Sequence, residues 1–442
     1  MNDEIRALYS QHFETLTGRH DRALSSAGFD HLVIYAGSQG MIFLDDMPYP
    51  FKVNPHFKAW VPVVDNPNCF LLYTPGSKPK LLYYQPVDFW HKPAADPQGF
   101  WVDSFDVQVM AAPEEVKSHL PSDPGRTAFI GEPDALVESL GFEHVNPPSL
   151  VDALHYERAW KTAYEIECMR QANALGARAH MAAEQAFRAG ASEFEIHLEY
   201  MRACEHNEHQ LPYGNIIALN ENAAVLHYQH QERRPPSEIH SFLIDAGAGF
   251  NGYASDITRT YSSRNDEFQG LVDAMEKAQL ELCAEVRPGL DYKDLHMLAH
   301  RKVGSILREF DFISVDSEAA VDQKITAAFF PHGVGHYIGL QVHDVGGFMA
   351  SSKGDTIPKP EGQPFLRLTR EVQPGHVFTI EPGLYFIDSL LAHLKTTDAS
   401  RSVNWDRVNS FSKYGGVRIE DDLAVTESGS ENLTRDAFAA IA

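Results

Sequence analysis

The segment that most constrains the fold is residues 245–256, which reads Asp-Ala-Gly-Ala-Gly-Phe-Asn-Gly-Tyr-Ala-Ser-Asp. Residues 241–244 before it have the aromatic and β-branched bias of a strand, and residues 257–261 after it alternate as a half-buried strand should. Between these arms, Asn251 and Gly252 are residue types that accept the positive φ angles of a hairpin turn. The sequence therefore predicts a β-hairpin that carries a carboxylate on each arm.

Folding this hairpin about Phe250 and Asn251 places Asp245 opposite Asp256, with about 5 Å between their Cβ atoms. Two carboxylates at that distance repel each other unless a cationic group lies between them. The alternative interpretation is a pair of exposed turn aspartates, but both residues flank apolar strand residues. The hairpin therefore favours a site where positive charge is held.

The length and composition indicate two domains and exclude some partners. With 442 residues and 43% hydrophobic content, the chain can bury one large core or, more naturally, two. The formal net charge of -24 disfavours nucleic acid and anionic membranes as partners. No run of about 18 apolar residues occurs, so the sequence predicts no membrane-spanning helix.

The cysteines and the first residues bear on the cellular compartment. Four cysteines are scattered without a Cys-x-x-Cys pair, which predicts core thiols rather than a disulfide framework or a zinc ribbon. Residues 1–8 open with charged side chains and lack the apolar stretch of a secretory signal. We therefore expect a cytoplasmic protein.

The first part of the chain has the pattern of a small α/β domain. Residues 4–27 have helical spacing, and the short apolar segments after them are typical of buried strands. These segments are residues 30–36, 69–74, 80–84 and 127–131. The composition changes near Asn146-Pro-Pro-Ser149, shortly before a long Ala/Glu-rich helical region. We therefore expect an N-terminal domain at residues 1–157 and a C-terminal domain at residues 158–442.

The C-terminal domain begins with helices and then returns to strands. Residues 163–188 carry apolar side chains at helical spacing, and Ser192-x-x-Glu195 is a capping box that starts the next helix. Residues 213–218 and 224–228 have the pattern of strands that lead into the hairpin. Helices combined with strands in both parts predict the α/β (α+β) class.

A glycine-rich stretch at residues 330–346 contains three histidines, His332, His336 and His343. Such a backbone lets side chains converge, and imidazole is a common metal ligand and proton carrier. One histidine in a loop is more often a structural residue than a ligand. Three together leave the structural and the functional interpretation equally weighted.

Two further strand-like segments carry glutamates. In residues 377–381, alternation places Glu381 as a charge within an otherwise apolar strand. Residues 416–420 repeat the pattern, with Arg418 and Glu420 on one face. Taken alone, this second pair is better explained as an exposed ion pair, because surface ion pairs are common and weak.

That interpretation changes when the four carboxylates are considered together: Asp245, Asp256, Glu381 and Glu420. Burying four unpaired negative charges is prohibitively costly, and two divalent cations would neutralise them. With one imidazole added, the donors are mostly hard oxygen atoms, which suit Mn(II) or a similar first-row ion. Two such ions about 3.5 to 4 Å apart would share carboxylates and hold a water molecule as the nucleophile.

The order Asp, Asp, glycine-rich histidine loop, Glu-Pro-Gly and Arg-Ile-Glu resembles the pita-bread metallopeptidase family, which includes methionine aminopeptidase, aminopeptidase P and prolidase. Four longer stretches are similar to bacterial prolidases of the organophosphorus acid anhydrolase type: residues 44–54, Pro86-Val-Asp-Phe-Trp-His91, residues 332–349 and residues 380–388. The resemblance covers nearly the whole chain, and its five-part ligand pattern is highly specific.

The resemblance implies two divalent ions per subunit, with Mn(II) first and Co(II) or Zn(II) as alternatives. It implies that Asp245 chelates one metal and that Asp256 and Glu420 bridge both. His336 and Glu381 would complete the second metal's ligands.

The resemblance also implies roles for the groups around the metals. Glu381, His332 and His343 are expected to be catalytic, as acid/base or oxyanion-stabilising groups. Arg418 would contact the substrate carboxylate or order the site. The other substrate-binding positions matched are His227, Tyr213, Leu226, Tyr292, Leu366 and Arg370.

The implied fold is a small N-terminal α/β domain, used in dimerisation and active-site capping, followed by a pita-bread domain. The second domain would have a curved, mainly antiparallel sheet covered by helices. In the implied homodimer, Asp45 or Asp46 of one subunit would reach the active site of the other. The sequence leaves open which of the two does so.

The activity implied is hydrolysis of Xaa-Pro dipeptides, with a side activity on organophosphate triesters because tetrahedral phosphorus resembles the peptide intermediate. One alternative is release of the N-terminal residue from longer Xaa-Pro peptides, as in aminopeptidase P. Another is a non-catalytic binding module, which is disfavoured because all five ligands are present.

Overall fold

The structure is a computed structural model that describes residues 2–90 and 92–441. The chain divides into two compact units. Unit 1 comprises the chain up to Cys168 with two short later segments, 251–253 and 349–356, and unit 2 comprises the remainder. His91, the last residue of the Pro86–His91 stretch, lies outside the described residues. No helix within the described residues is long and apolar enough to cross a membrane.

Unit 1 is built on a mixed sheet. Its strands, over the described residues, are β1 (His31–Tyr35), β2 (Phe70–Tyr73), β3 (Lys80–Tyr84), β4 (Asp106–Met110), β5 (Thr127–Ile130) and β6 (His144–Val145). They are ordered β4-β3-β2-β1-β5-β6, and β1 is antiparallel to β2 but parallel to β5. Its helices are α1 (Asn2–Ala27), α2 (Pro55–Trp60), α3 (Ala135–Leu140) and α4 (Pro148–Glu157). The four strands predicted here are confirmed.

Unit 2 is covered by helices. They are α5 (Ala163–Arg188), which begins before the division, α6 (Glu193–Cys204), α7 (Glu267–Glu285), α8 (Tyr292–Glu309), α9 (Ser317–Asp322), α10 (Ile325–Phe329), α11 (Asp388–Lys395), α12 (Trp405–Phe411) and α13 (Leu433–Ala439). The predicted capping box is confirmed, because Ser192 Oγ accepts from Glu195 N–H and the Glu195 carboxylate accepts from Ser192 N–H.

The strands of unit 2 form three small antiparallel sheets and a short hairpin. They are β7 (Ile216–Leu219), β8 (Ser241–Asp245), β9 (Gly249–Phe250), β10 (Tyr253–Ala254), whose first residue is assigned to unit 1, β11 (Thr258–Ser262), β12 (Val377–Ile380), β13 (Gly383–Tyr385), β14 (Gly416–Arg418), β15 (Asp421–Val425) and β16 (Ser430–Asn432). The sheets are β11-β8-β7, β12-β15-β16 and β13-β14. An antiparallel bridge between Thr258 and Glu420 connects the hairpin to the C-terminal strands. The mainly antiparallel arrangement is therefore confirmed.

The central hairpin forms, but its register differs from the expected one. In the pairing of β8 with β11, Asp245 lies opposite Thr258 and not opposite Asp256. The same register continues toward the turn, where Ala246 N–H donates to the carbonyl of Ile257 at 3.0 Å. The expected pairing is thus wrong by two residues.

The turn explains the shift. Asn251 and Gly252 have φ angles of 49° and 87°, so they occupy the two turn positions, one residue later than expected. These residue types adopt positive φ more easily than Phe250 does. Because side chains alternate with a period of two, a shift of two leaves Asp245 and Asp256 on the same face, as diagonal neighbours.

The predicted strand at residues 224–228 is also wrong. Residues 220–224 form a short 3₁₀ turn, and the chain then runs as a loop around the buried carboxylate of Glu193. That carboxylate accepts four hydrogen bonds of 2.7 to 2.8 Å, from Leu219 N–H, Asn222 Nδ2, Tyr228 Oη and Glu232 N–H. A local pattern of apolar residues cannot reveal this anchor, because the carboxylate lies about 30 residues earlier in the sequence, on α6.

Replacing Glu193 by Ala should destabilise unit 2, since it leaves buried donors without an acceptor. We expect a loss of about 2 to 3 kcal/mol, which corresponds to a fall of about 5 to 10 °C in the thermal midpoint. Differential scanning calorimetry measures this change. The control is Glu199→Ala on the same helix, where a surface pair with Arg202 is removed and the midpoint should stay within about 1 °C. Equal midpoints for the two variants would contradict the anchoring role.

Candidate metal centre

The five predicted metal ligands all lie in unit 2, on the ends of strands and in the glycine-rich loop. Asp245 ends β8, Asp256 precedes β11, Glu381 follows β12, Glu420 lies between β14 and β15, and His336 lies in the loop before β12. Strand ends hold side chains at fixed positions while leaving one side open, which suits a site that must admit a ligand.

Asp256, His336 and Glu420 form a buried group that could hold a metal ion. Each offers one ligand atom, and these atoms all lie within 4.8 Å of one another. Glu381 is close to this group, since its Oε1 is 3.8 Å from His336 Nε2. The sequence-predicted second-metal ligands are therefore brought together.

The orientation of His336 suits metal binding. Its Nδ1 lies 2.9 Å from the carbonyl of Tyr337, so Nδ1 carries a proton and donates it. Its Nε2 points to the carboxylates, at 3.4 Å from Asp256 Oδ2. A backbone carbonyl that fixes the imidazole in this way is the usual partner of a metal-binding histidine.

Backbone pairing places His336 next to Glu381. Thr379 N–H donates to the carbonyl of His336 at 3.0 Å, and Glu381 N–H donates to the carbonyl of Val334 at 2.8 Å. The loop thus runs beside β12 as an additional strand would. A Cβ on Gly335 would lie 1.9 Å from the carbonyl oxygen of Thr379, so this close approach requires glycine.

Asp245 is bound to a guanidinium. Arg418 Nη2 lies 2.6 Å from Asp245 Oδ2, and both side chains are mostly buried. The hydroxyl of Tyr213 lies 2.7 Å from Asp245 Oδ1 and 2.5 Å from Asp256 Oδ1, so it connects the two aspartates. The interpretation of Arg418 and Glu420 as an exposed ion pair is wrong, because both are buried and Arg418 pairs with Asp245.

Two residues of the site were missed in the sequence. Thr258 Oγ1 donates to Glu420 Oε2 at 2.6 Å and accepts from Arg418 Nε at 3.2 Å. Tyr385 Oη lies 2.8 Å from His332 Nε2 and 2.7 Å from Arg418 Nη1. Alternation in β13 and β11 could have pointed to Tyr385 and Thr258, because each lies an even number of residues from a predicted ligand.

The two aspartates that follow Glu420 in sequence hold the backbone near the predicted ligands by hydrogen bonds and ion pairs. Asp422 Oδ2 accepts from the backbone N–H of Asp256 at 3.1 Å. Asp421 is fully buried and paired at 2.8 Å with both Arg259 and Arg435. Although burial raises the pKa of Asp421, the two guanidinium groups outweigh this and lower it to about 2. This buried ion pair network fixes β15 at the base of the site.

Burial of so much negative charge perturbs the titration of the site. Burial raises the pKa of Glu420 well above its ordinary range, and the charges of Asp256 and Glu381 raise it further. Burial also raises the pKa of Glu381 to about 7, although the charges of His336 and Arg418 oppose the shift. Each of these carboxylates therefore favours additional positive charge nearby.

His336 responds in the opposite direction. Burial alone would lower its pKa, but the hydrogen bond with Asp256 and the charge of Glu381 outweigh burial and raise the pKa to about 9. A proton on Nε2 and a metal ion would occupy the same position. The donor set, three or four carboxylates with one imidazole, fits a divalent first-row cation.

The two remaining histidines of the loop are neutral at pH 7. Burial and the charge of Arg418 lower the pKa of His332 to about 3, and burial with the charge of His336 lowers that of His343 to about 3. His332 Nδ1 lies 3.4 Å from Glu381 Oε2. The ring of His343 meets that of His336 edge-on, with centroids 4.4 Å apart.

The expected substrate-binding residues are placed differently from one another. Tyr292, Leu366 and Arg370 are buried, whereas Leu226 is half-buried and His227 is exposed on the loop around Glu193. Tyr292 Oη donates to the carbonyl of Thr379 at 3.0 Å, and Thr379 lies in β12 two residues before Glu381. Asp45 and Asp46 are exposed residues of unit 1, where Asp45 Oδ1 accepts from the N–H of Asp46 at 2.7 Å.

Two family models match the chain. Residues 7–156 match the model described as the N-terminal domain of Xaa-Pro dipeptidase, and residues 167–427 match metallopeptidase family M24. The chain belongs to metallopeptidase family M24. Membership of M24 confirms the resemblance inferred from the ligand pattern. A metal-binding cluster such as the one at Asp256 is expected in a metallopeptidase.

Relatives of this M24 chain are similar along their full length. It is 50% identical to a protein from Pseudoalteromonas translucida (strain TAC 125) named Xaa-Pro dipeptidase, over 98% of this chain and 99% of that protein. It is 51% identical to another so named from Stenotrophomonas maltophilia (strain R551-3), over 98% of each.

Solved structures of more distant proteins share the fold. A zinc-substituted aminopeptidase P from Escherichia coli in complex with product has a TM-score of 0.72 and 23% identity, covering 98% of both chains. Proline aminopeptidase P II from Yersinia pestis has a TM-score of 0.71 and 23% identity, covering 98% of this chain and 99% of that one. These similarities confirm the pita-bread fold of the M24 family.

Removing a central ligand tests whether the cluster binds metal. Asp256→Asn should weaken binding of Mn(II) by at least about 100-fold, which exceeds the effect of losing an outer partner. Titration calorimetry of metal-free protein with MnCl₂ measures the affinity. Asp273→Asn on the exposed surface of α7 makes the same chemical change elsewhere and should leave the affinity unaltered. Unchanged binding by Asp256→Asn would show that the metal lies at another place.

Proposed function

We propose that this M24 enzyme hydrolyses Xaa-Pro dipeptides. The observation that carries the proposal is the similarity to relatives named Xaa-Pro dipeptidase, at 50% identity and over 98 to 99% of both lengths. The aligned region spans both the amino-terminal and the site-bearing parts of the chain, and each of these parts also matches a family model. The aminopeptidase P structures, at 23% identity, support the fold alone.

We propose two divalent ions per subunit, with Mn(II) as the first choice. Asp245 would bind one ion and Asp256 and Glu420 would bridge both, while His336 and Glu381 complete the second ion's ligands. The close approach of Asp256, His336 and Glu420 supports the part of this assignment that concerns these three residues. The chemistry that such ions supply is polarisation of the scissile carbonyl and a lowered pKa for a water molecule.

Glu381 and the two neutral histidines would handle protons. Glu381 Oε2 lies 3.4 Å from His332 Nδ1, whose N–H donates to the carbonyl of Gly333 at 2.8 Å, so the carboxylate lies beside a second titratable group. His332 Nε2 shares the Tyr385 hydroxyl with Arg418 Nη1, which orients the imidazole. We propose that Glu381 takes the proton of the attacking water and that His332 or His343 stabilises the oxyanion or protonates the leaving nitrogen.

Arg418 orders the site in this proposal. Its Nη2, Nη1 and Nε are directed to Asp245, Tyr385 and Thr258 respectively, which supports ordering rather than direct contact with the substrate carboxylate. Because a proline amide has no N–H, recognition would rest on ring shape and on the carboxylate. The pocket would be formed by the six remaining positions: Tyr213, Leu226, His227, Tyr292, Leu366 and Arg370.

The preferred substrate length distinguishes this activity from that of an aminopeptidase. We expect kcat/KM for Ala-Pro to exceed that for Ala-Pro-Gly-Gly at least about tenfold, because a dipeptidase pocket must be closed beyond the proline. Both rates are measured with Mn(II)-loaded enzyme. Preference for the tetrapeptide would replace the proposal by aminopeptidase P-like activity. The rate at which the same Mn(II)-loaded enzyme hydrolyses a phosphotriester measures the predicted side activity.

We propose that residues 1–157 form a domain used in homodimerisation and active-site capping, and that residues 158–442 form the catalytic domain. A short two-stranded loop at residues 41–48 supports this, because its apolar tip is exposed. Phe43 and Leu44 are 84% and 90% exposed, and Leu44 has a φ of 57°, which is strained for this residue. A second copy of the chain would cover the tip and bring Asp45 or Asp46 to the other subunit's site.

Phe43→Glu should therefore weaken dimerisation by at least about tenfold, because it introduces a charge into a proposed apolar contact. Sedimentation velocity over a concentration series measures the change. Leu198→Glu, an equivalent change at an exposed position of α6, should leave the dimer intact. A wild-type protein that stays monomeric would contradict the proposal. Assays of Asp45→Ala and Asp46→Ala would then identify the aspartate that contributes to catalysis.

We also propose a cytoplasmic location. The four cysteines are buried and unpaired, as the sequence predicts. Proteins kept in a reducing compartment retain such thiols.

A further inference from the structure

Two buried histidines on α8 form a cluster that the proposed chemistry does not use. His296 and His300 are one helical turn apart on the same face, and their ring centroids are 4.7 Å apart. Both are fully buried. Their Nε2 atoms converge on Oε1 of Gln363, at 2.9 Å from His296 and 3.1 Å from His300.

The protonation of the pair defines the direction of these bonds. Burial lowers the pKa of His296 to about 4, and burial together with the charge of His296 lowers that of His300 to about 3. Both rings are therefore neutral at pH 7, and each has a single N–H. Gln363 Oε1 is an amide oxygen that can only accept, so each ring carries its single N–H on Nε2 and donates it to Gln363. His300 Nδ1, 3.0 Å from Thr326 Oγ1, then accepts from that hydroxyl.

Gln363 begins a segment that lies against the glycine-rich histidine loop. Leu366 is buried, and a Cβ on Gly333 would be only 3.0 Å from Leu366 Cα. Further along, Thr369 N–H donates to the carbonyl of Gly347 at 2.9 Å. Residues 363–370 thus contact Gly333, which follows His332, and Gly347, which lies shortly after His343.

The histidine pair also packs behind His332. The ring of Phe330 lies between them, with centroids 4.9 Å from His300 and 4.9 Å from His332. Phe330 is fully buried. Displacement of the pair would therefore shift His332 through Phe330, and it would also shift the segment that carries Leu366 and Arg370.

We propose that His296, His300 and Gln363 are positioning residues, which hold residues 363–370 as a wall of the substrate pocket. The histidines act through Gln363, and Gln363 acts through the placement of Leu366 and Arg370. This inference rests on the proposed dipeptidase function for the identity of the substrate. We call His296, His300 and Gln363 the clamp, and the contacts that define it all lie within unit 2.

Gln363→Met tests the clamp, because methionine has a similar length and no strong acceptor for the two N–H groups. We expect KM for Ala-Pro to rise about tenfold, as fits the loss of one or two neutral hydrogen bonds, with kcat changed less than about twofold. Gln363→Glu retains an oxygen acceptor and should restore KM to within about threefold of wild type. Gln269→Met, the same exchange on the surface of α7, should leave both constants unaltered.

Hydrogen exchange keeps this inference separate from the proposed function. In Gln363→Met, the amides of residues 363–370 should exchange at least about tenfold faster, while those of α8 keep their protection. Unchanged KM together with unchanged exchange would overturn the clamp. If the wild-type enzyme does not hydrolyse Ala-Pro, the dipeptidase proposal fails, and exchange alone decides the clamp. A uniform loss of protection throughout unit 2 would show a general structural role and would also overturn it.

Discussion

The gathering of four carboxylates at one site is the constraint on which this structure depends: Asp256 and Glu420 are buried, and the side chains of Asp245 and Glu381 are mostly so. Such a group is stable only where donors and positive charges surround it. The protein supplies Arg418 to Asp245, the Thr258 hydroxyl to Glu420 and the Nε2 side of His336 to Asp256. Asp256, His336 and Glu420 still offer one ligand atom each within 4.8 Å of one another, as is expected of an M24 metallopeptidase.

The fold meets this constraint by placing each predicted ligand in or next to a paired strand segment. The bridge between Thr258 and Glu420 fastens the central hairpin to the C-terminal strands, and the loop before β12 bonds to that strand on both sides of Thr379. Behind Glu420, Asp421 is held by two guanidinium groups. Rigid supports of this kind keep ligands in place when the charge at the centre changes, because the surrounding hydrogen bonds do not depend on it.

Fold and activity are supported at different levels of similarity. At 23% identity, aminopeptidase P structures share the fold, and that likeness does not choose a substrate. The relatives named Xaa-Pro dipeptidase, at 50% identity over 98% of this chain, indicate the class of substrate more specifically. Within one fold, such differences in substrate come from the segments that line the pocket. The proposed wall at residues 363–370 and the exposed tip at residues 41–48, which we propose reaches the partner subunit's site, would be segments of that kind.

The sequence by itself determined the long helices, most strands and the family, because hydrophobic periodicity, capping residues and a spaced set of ligands are local or ordered along the chain. The helix at residues 163–188 and the Ser192 capping box are examples. The hairpin register also depends on a local preference, because Asn251 and Gly252 adopt the positive φ angles of the turn. The tertiary structure decided the conformation of residues 220–232, because a distant carboxylate at Glu193 outweighs the local pattern. It alone showed which groups compensate the buried charge, since those partners lie far apart in sequence and meet only when the strands pair.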